Sequence, residues 1–254
     1  MRNAVLTPAA FRKFAGSLTT LNMPAMAAAA WKSGEIDNVS GFRTYKSNNI
    51  KNHTVGAHGG TPLVNGAAQN VTYAASKSTN QQSLVTDGWT TSAAVLKAGD
   101  VFTLAGVYAV NPVPGEGTTG KTVMPYLQQF TVISDASSDG SGNATLTISP
   151  AIVTSGPYQS VSAAPADNAA ITVLGTASTA YPQNMMFHRN TFALVTCPLE
   201  MPDGAAWKAR ESDDGLSVRV VKDYDIGTDE DIIRVDVLFG WKDIYPELGC
   251  RLWG

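Results

Sequence analysis

Between residues 52 and 181 the sequence is cut into short β-favouring runs separated by turn formers, and this texture restricts the fold more than any other feature. "NVTYA" (70–74), "DVFTLAGVYAV" (100–110), "YLQQFTVIS" (126–134), "ATLTISP" (144–150) and "AITVLG" (170–175) are predicted strands. Asn65-Gly66, Gly99-Asp100 and "SSDGSGN" (137–143) fall between them as turns. Spacing of this kind builds a small antiparallel barrel or sandwich and predicts a self-contained module.

The flanks read differently. Thr7 before Pro8 is a helix N-cap and first-turn pair, continued by "AAFRKFAGSL" with Phe11 and Phe14 on one face. Asn22-Met23-Pro24 starts a second helix through the alanine run, which Gly34 can end. "GFRTYKS" (41–47) alternates as a strand. After the module, "TFALVTCPLE" (191–200) is a strand candidate. "LSVRVVKDYDI" (216–226) and "DIIRVDVLFGW" (231–241) are two long strands joined by the acidic turn "GTDE", which predicts a hairpin. The chain therefore reads as α+β and β-rich in three segments, 1–51, 52–181 and 182–254, with no internal repeat or low-complexity tail.

Charge narrows the function. Charged residues make up 15% of the chain, well under the roughly 25% of an average soluble protein, which fits a surface covered by neighbours. With 18 Lys+Arg against 21 Asp+Glu and no basic run, phosphate-neutralising recognition of DNA or RNA is not expected. Cys197 and Cys250 stand apart and form no metal-type pair. "MRNAVLTPAAFRKF" lacks the apolar core and cleavage site of a signal peptide, and 23–31 is too short to span a bilayer. A soluble, unexported chain is expected.

Several motifs invite sharper readings. "GEGTTGKT" (115–122) spells the phosphate-loop pattern, which works only when a strand precedes it and a helix N-terminus follows. Pro125 and the alternating residues after it predict a strand instead, so the segment reads as a glycine-rich hairpin loop and an NTPase is the least favoured reading. In "DYDIGTDEDIIR" (223–234), Asp223 and Asp225 fit two calcium-loop positions, but Gly227 and Arg234 stand where further ligands belong. His53 and His58 read as surface-loop histidines, and His188 as a residue that packs or hydrogen-bonds at a strand boundary. No catalytic, cofactor or metal constellation results.

Longer segments carry a resemblance. "GTPLVNGAAQNVTYA", "GDVFTLAGVYAVNP", "YLQQFTVISDASSDGSGNATLTISP", "NMMFHRNTFALVTCPLEMPDGAA" and "SVRVVKDYDIGTDEDIIRVDVLFGWKDIYPELGCRL" together resemble the major coat proteins of tailed phages of the P22 type, along essentially the whole chain. The resemblance implies a Hong Kong-type phage capsid fold, present here as its axial and peripheral domain portion. Residues 52–181 would be an inserted small antiparallel β-barrel that aids folding and contacts neighbouring capsomers. It implies a structural virion protein, assembled in the host bacterial cytoplasm, that self-associates into pentamers and hexamers of an icosahedral shell around double-stranded DNA. A scaffolding protein and a portal are the expected assembly partners, without a cofactor, a membrane or sequence-specific nucleic acid. Family members are longer, and the part that precedes "MRNAVLTP" in them normally supplies an N-terminal arm, an extended loop and a spine helix. Asp229 and Asp231, at the tip of the long hairpin, are candidate subunit contacts. The competing reading is a β-rich decoration or binding module of a virion that does not polymerise.

Overall fold

The computed structural model describes residues 2–20, 24–33, 36, 38, 41–113 and 120–253. In chain order the elements are β1 (Arg2–Leu6), α1 (Pro8–Thr20), α2 (Pro24–Ser33), β2 (Phe42–Lys46), β3 (Asn52–Thr54), β4 (Gly60–Val64), the single-turn α3 (Tyr73–Ser76), β5 (Gln82–Trp89), β6 (Ala94–Leu96), β7 (Val101–Val110), β8 (Val123–Val132) and β9 (Ala136–Ser137). They continue with β10 (Ala144–Ser149), β11 (Ile171–Val173), β12 (Ala180–Pro182), β13 (Asn184–His188), β14 (Phe192–Cys197), β15 (Trp207–Asp213), β16 (Leu216–Asp225), β17 (Glu230–Asp243), a 3-10 turn (Pro246–Leu248) and β18 (Gly249–Leu252). The helix starts at Asn22-Met23, the stop at Gly34 and residues 115–119 of the phosphate-loop spelling lie outside the described residues. Contacts divide the chain into two compact units, Lys51–Pro182 and Met1–Ile50 with Gln183–Gly254.

The first unit is a nearly closed barrel. Six antiparallel strands follow the order β11-β7-β8-β10-β5-β4, and the two ends of that order meet through a bridge between Leu63 and Ala170. Hydrogen bonds from Val64 N to Ala169 O (3.0 Å) and from Asn168 N to Val64 O (2.9 Å) tighten the seam. Closure leaves few free strand edges, which suits a chain with little charge to guard them. Phe102 and Phe130, facing each other across β7 and β8 with ring centroids 5.8 Å apart, fill the centre with Leu84, Leu104, Leu146 and Ile148. Buried Thr86 is satisfied twice, donating to Ala144 O (2.7 Å) and accepting from Trp89 Nε1 (2.8 Å), as a polar group in such a core must be.

The turn before β7 is organised by one carboxylate. Asp100 is wholly buried; its Oδ2 accepts from Lys97 N (2.7 Å) and Gly56 N (3.0 Å), and its Oδ1 lies 2.7 Å from His53 Nε2. The carboxylate thus joins the incoming ribbon at β3 to the 97–100 turn. Gly56 is required by space: a Cβ there would sit 2.6 Å from Val95 O and 2.7 Å from Leu96 Cα.

In the second unit, β1 lies between β13 and β2 in the order β18-β13-β1-β2, antiparallel to β13 and parallel to β2. Leu6, Phe11, Ala15, Ala27, Ala30 and Ile36 form a small core under the helices. Thr7 caps α1 as read from the sequence, its Oγ1 accepting from Ala10 N at 3.3 Å. A separate sheet in the order β14-β17-β16-β15 contains the long hairpin.

Two sequence readings need correction. Residues 70–74 do not form a strand: Val71 N bonds to Ile152 O (2.9 Å) and the chain then turns into α3, because tertiary contacts outweigh the β preference of Val71, Thr72 and Tyr73. His53 is no surface-loop residue, since it is largely buried against Asp100.

Candidate functional site

The hairpin of β16 and β17 pairs from Val218↔Val237 to Asp225↔Glu230, and β14 takes up the other half of β17 from Phe192↔Asp243 to Cys197↔Leu238. Both long strands are rich in β-branched residues, which favour the pleated state. Because side chains alternate along a strand and paired residues share a face, the sheet has two unlike sides. One presents Ile233, Val235, Phe239 and Trp241 of β17 beside Leu194 of β14 and Trp207 of β15. The other carries Arg219, Arg234 and Asp236 together with Val195, Ile232 and Leu238.

The charged side is internally satisfied. Arg219 meets Asp236 Oδ2 at 2.5 Å through Nη2, and Arg234 Nε meets Oδ1 at 2.6 Å. Arg219 Nη1 also donates to Glu200 O (2.5 Å). These hydrogen bonds, Arg219 first, hold the Asp236 carboxyl below its ordinary range. The apolar side is open. Among the described residues Trp241 is 73% exposed, Leu194 69%, Val235 63% and Phe239 62%. Antiparallel sheets commonly show one face to water, but that face is normally the polar one. Neighbouring exposed apolar side chains on one sheet face are the feature that interaction surfaces share.

The tip holds the two aspartates singled out by sequence. Asp229 adopts a left-handed conformation (φ 56°) and its Oδ1 accepts from Tyr224 Oη at 2.5 Å, which pushes the Tyr224 phenol up. Asp231 lies 3.0 Å from Lys222 Nζ on the apolar side. The structure brings the pair to one turn, with each carboxylate partly engaged by its own hairpin. Asp225, read as a calcium-loop position, uses Oδ1 to accept from Gly227 N (2.8 Å) and so caps the turn.

The remaining candidates take structural places. The glycine-rich spelling at 115–122 leads into strand β8, with Pro125 inside it, where a phosphate loop needs a helix. His188 ends β13, and its Nδ1 accepts from Asn190 N at 3.3 Å; burial, aided by Arg189 and Arg2, holds its imidazole below the ordinary value. His58 Nε2 lies 3.3 Å from Gly175 O. Cys197 and Cys250 are exposed thiols on β14 and β18. Sequence reasoning named the tip and passed over the apolar face, although the alternation of Ile233, Val235, Val237, Phe239 and Trp241 was legible as one side of a strand.

Comparison with known proteins gives these surfaces a context. A family model described as P22 coat protein, gene protein 5, matches residues 1–254. The major capsid protein of Acyrthosiphon pisum secondary endosymbiont phage 1 is 26% identical over 231 residues, covering 89% of this chain and 54% of that protein. The chain spans about half the length of the curated relative it matches. With a nearly closed six-stranded barrel, an unlike-faced hairpin sheet and a family match along its full length, this chain belongs to the P22 coat protein family.

Proposed function

We propose that this chain is a shell-forming subunit of a tailed phage, acting by self-association and not by catalysis. In this reading residues 1–51 and 182–254 belong to a Hong Kong-type capsid core, in its axial and peripheral portion, and residues 52–181 are the inserted barrel domain. The subunit builds pentamers and hexamers of an icosahedral capsid in the host cytoplasm, with a scaffolding protein and a portal as assembly partners.

The observation that carries the reading is the open apolar face of the β14–β17 sheet. Burying apolar surface is worth about 25 cal/mol per Å², so a subunit that exposes such a face in isolation gains by docking it against a second copy. Closed shells use the same surfaces many times over, and each contact can be modest. Asp229 and Asp231 stand at the tip end of this face and, with Lys222 beside Asp231, bring charge to it, setting register and encounter rate more than strength.

Sedimentation velocity of the purified chain at micromolar concentration, with electron microscopy of the fast fraction, tests the reading. Rings, tubes or shells are expected; a clean monomer throughout the range would favour the non-polymerising module. Charge reversal at Asp229 and Asp231 is expected to slow association and change its salt dependence. If both stay as in the parent chain, the tip makes no contact.

A further inference from the structure

We propose that Tyr73 and Tyr158 form an oxidative cross-linking site, at which a one-electron oxidant converts the two phenols into an intrachain dityrosine. The rings stack with centroids 3.7 Å apart and planes 9° from parallel. They are 40% and 58% exposed, so a diffusible oxidant reaches both. Tyr73 opens α3, and Tyr158 sits in the loop that follows Thr154.

Both backbones are held. Val71 N donates to Ile152 O (2.9 Å) and Asn70 Nδ2 to Thr154 Oγ1 (3.2 Å), so hydrogen bonds join the segment just before Tyr73 to the start of the loop that carries Tyr158. Ser160 Oγ donates to Ala151 O (2.8 Å) and closes the second loop on itself. Prior positioning of this kind turns a bimolecular encounter into an intramolecular one, which raises the effective concentration of the reacting groups by orders of magnitude. Burial, and then the neighbouring Tyr158 phenol, push the Tyr73 hydroxyl up. Tyr73 is therefore a neutral phenol near neutral pH and releases its proton together with its electron.

The chemistry balances simply. Each tyrosine gives one electron to the oxidant and one proton to water, leaving two phenoxyl radicals. The radicals pair through ring carbons ortho to oxygen, forming one carbon–carbon bond. The two ortho hydrogens then move to the phenol oxygens and restore both aromatic rings. The net change is the loss of two hydrogens, with the oxidant reduced by two electrons. The product ties α3 to the 154–160 loop permanently.

The test exposes the full chain to a peroxidase with hydrogen peroxide, in parallel with Y73F and Y158F, after circular dichroism shows that each variant is folded. The parent is expected to lose two hydrogens by mass, show dityrosine fluorescence in the single-chain band of a denaturing gel, and yield a linked pair of tryptic peptides, 52–77 with 122–189, joined at Tyr73 and Tyr158. Either substitution alone should abolish that linked pair, so one folded variant suffices. The proposal is overturned if dityrosine appears only between chains, if Y158F gives the same linked peptides, or if the parent gives none while free tyrosine in the same tube couples.

Discussion

At the residue scale, Asp100 shows how much of a small barrel can rest on one carboxylate. Lys97 is a local partner, but His53 and Gly56 come from far back along the chain, so no local pattern announces their link; from the sequence, Gly99-Asp100 was legible only as a turn. Removing the acceptor leaves the buried N–H of Gly56 without it, at a cost of about 1–3 kcal/mol, and frees the partly buried N–H of Lys97 as well. Asp100→Ala is expected to lower barrel stability by about 2–5 kcal/mol in urea titrations, with Asp100→Asn losing less. Gly56→Ala should also destabilise, by about 1–3 kcal/mol, since its Cβ would meet backbone that cannot move aside. A second residue-scale effect is pH dependence. Asp139, held by the N–H groups and side chain of Asn143 and by Ser141 N, and Asp236, held by Arg219 and Arg234, both lie below the ordinary 3.8. The unfolded chain therefore binds protons more readily than the folded one as pH falls past that value. Their contribution is complete above it and is lost as pH drops through the lower folded values. Asp139→Asn and Asp236→Asn should each flatten the acid limb of a stability–pH curve; an unchanged limb would show that these bonds do not persist in solution.

At the element scale, local signals were read well and buried polar ones were not. The β16–β17 hairpin was legible because its partners are neighbours in sequence and both strands alternate over many residues. β5 was missed because two of its inward positions, Gln82 and Thr86, are polar while Val85 points out, so apolar alternation does not single out the buried side of the strand. β1 was missed because it is short and owes its state to β13 and β2, which pair with it from far along the chain. The same hairpin supports a prediction about its open face. Val235→Lys and Phe239→Lys replace side chains that are 63% and 62% exposed, so they should leave the far-ultraviolet spectrum unchanged and shift stability by no more than about 0.5 kcal/mol. Association should fall sharply in the same proteins. A variant that sediments as the parent does would remove this face from the contact.

At the scale of the whole molecule, the change of texture at residues 52 and 181 lies beside the division of contacts at Lys51 and Pro182. The barrel keeps its own cluster of buried side chains, and the helices near the start of the chain keep a second, smaller one. Two separate clusters of buried side chains need not melt together, and a single unfolding free energy would then describe neither. The barrel should give the more cooperative transition, because its strands pair in a closed series around Phe102, Phe130 and Leu146. Phe102→Ala opens a cavity at the centre of that series and is expected to cost the barrel about 3–5 kcal/mol, moving one calorimetric transition down and leaving the other in place. The segment 51–182 expressed alone should keep the parent's barrel midpoint and the same response to Phe102→Ala. If one transition serves the full chain and shifts as a whole, the two cores are coupled, and the barrel gains part of its stability from the residues around it.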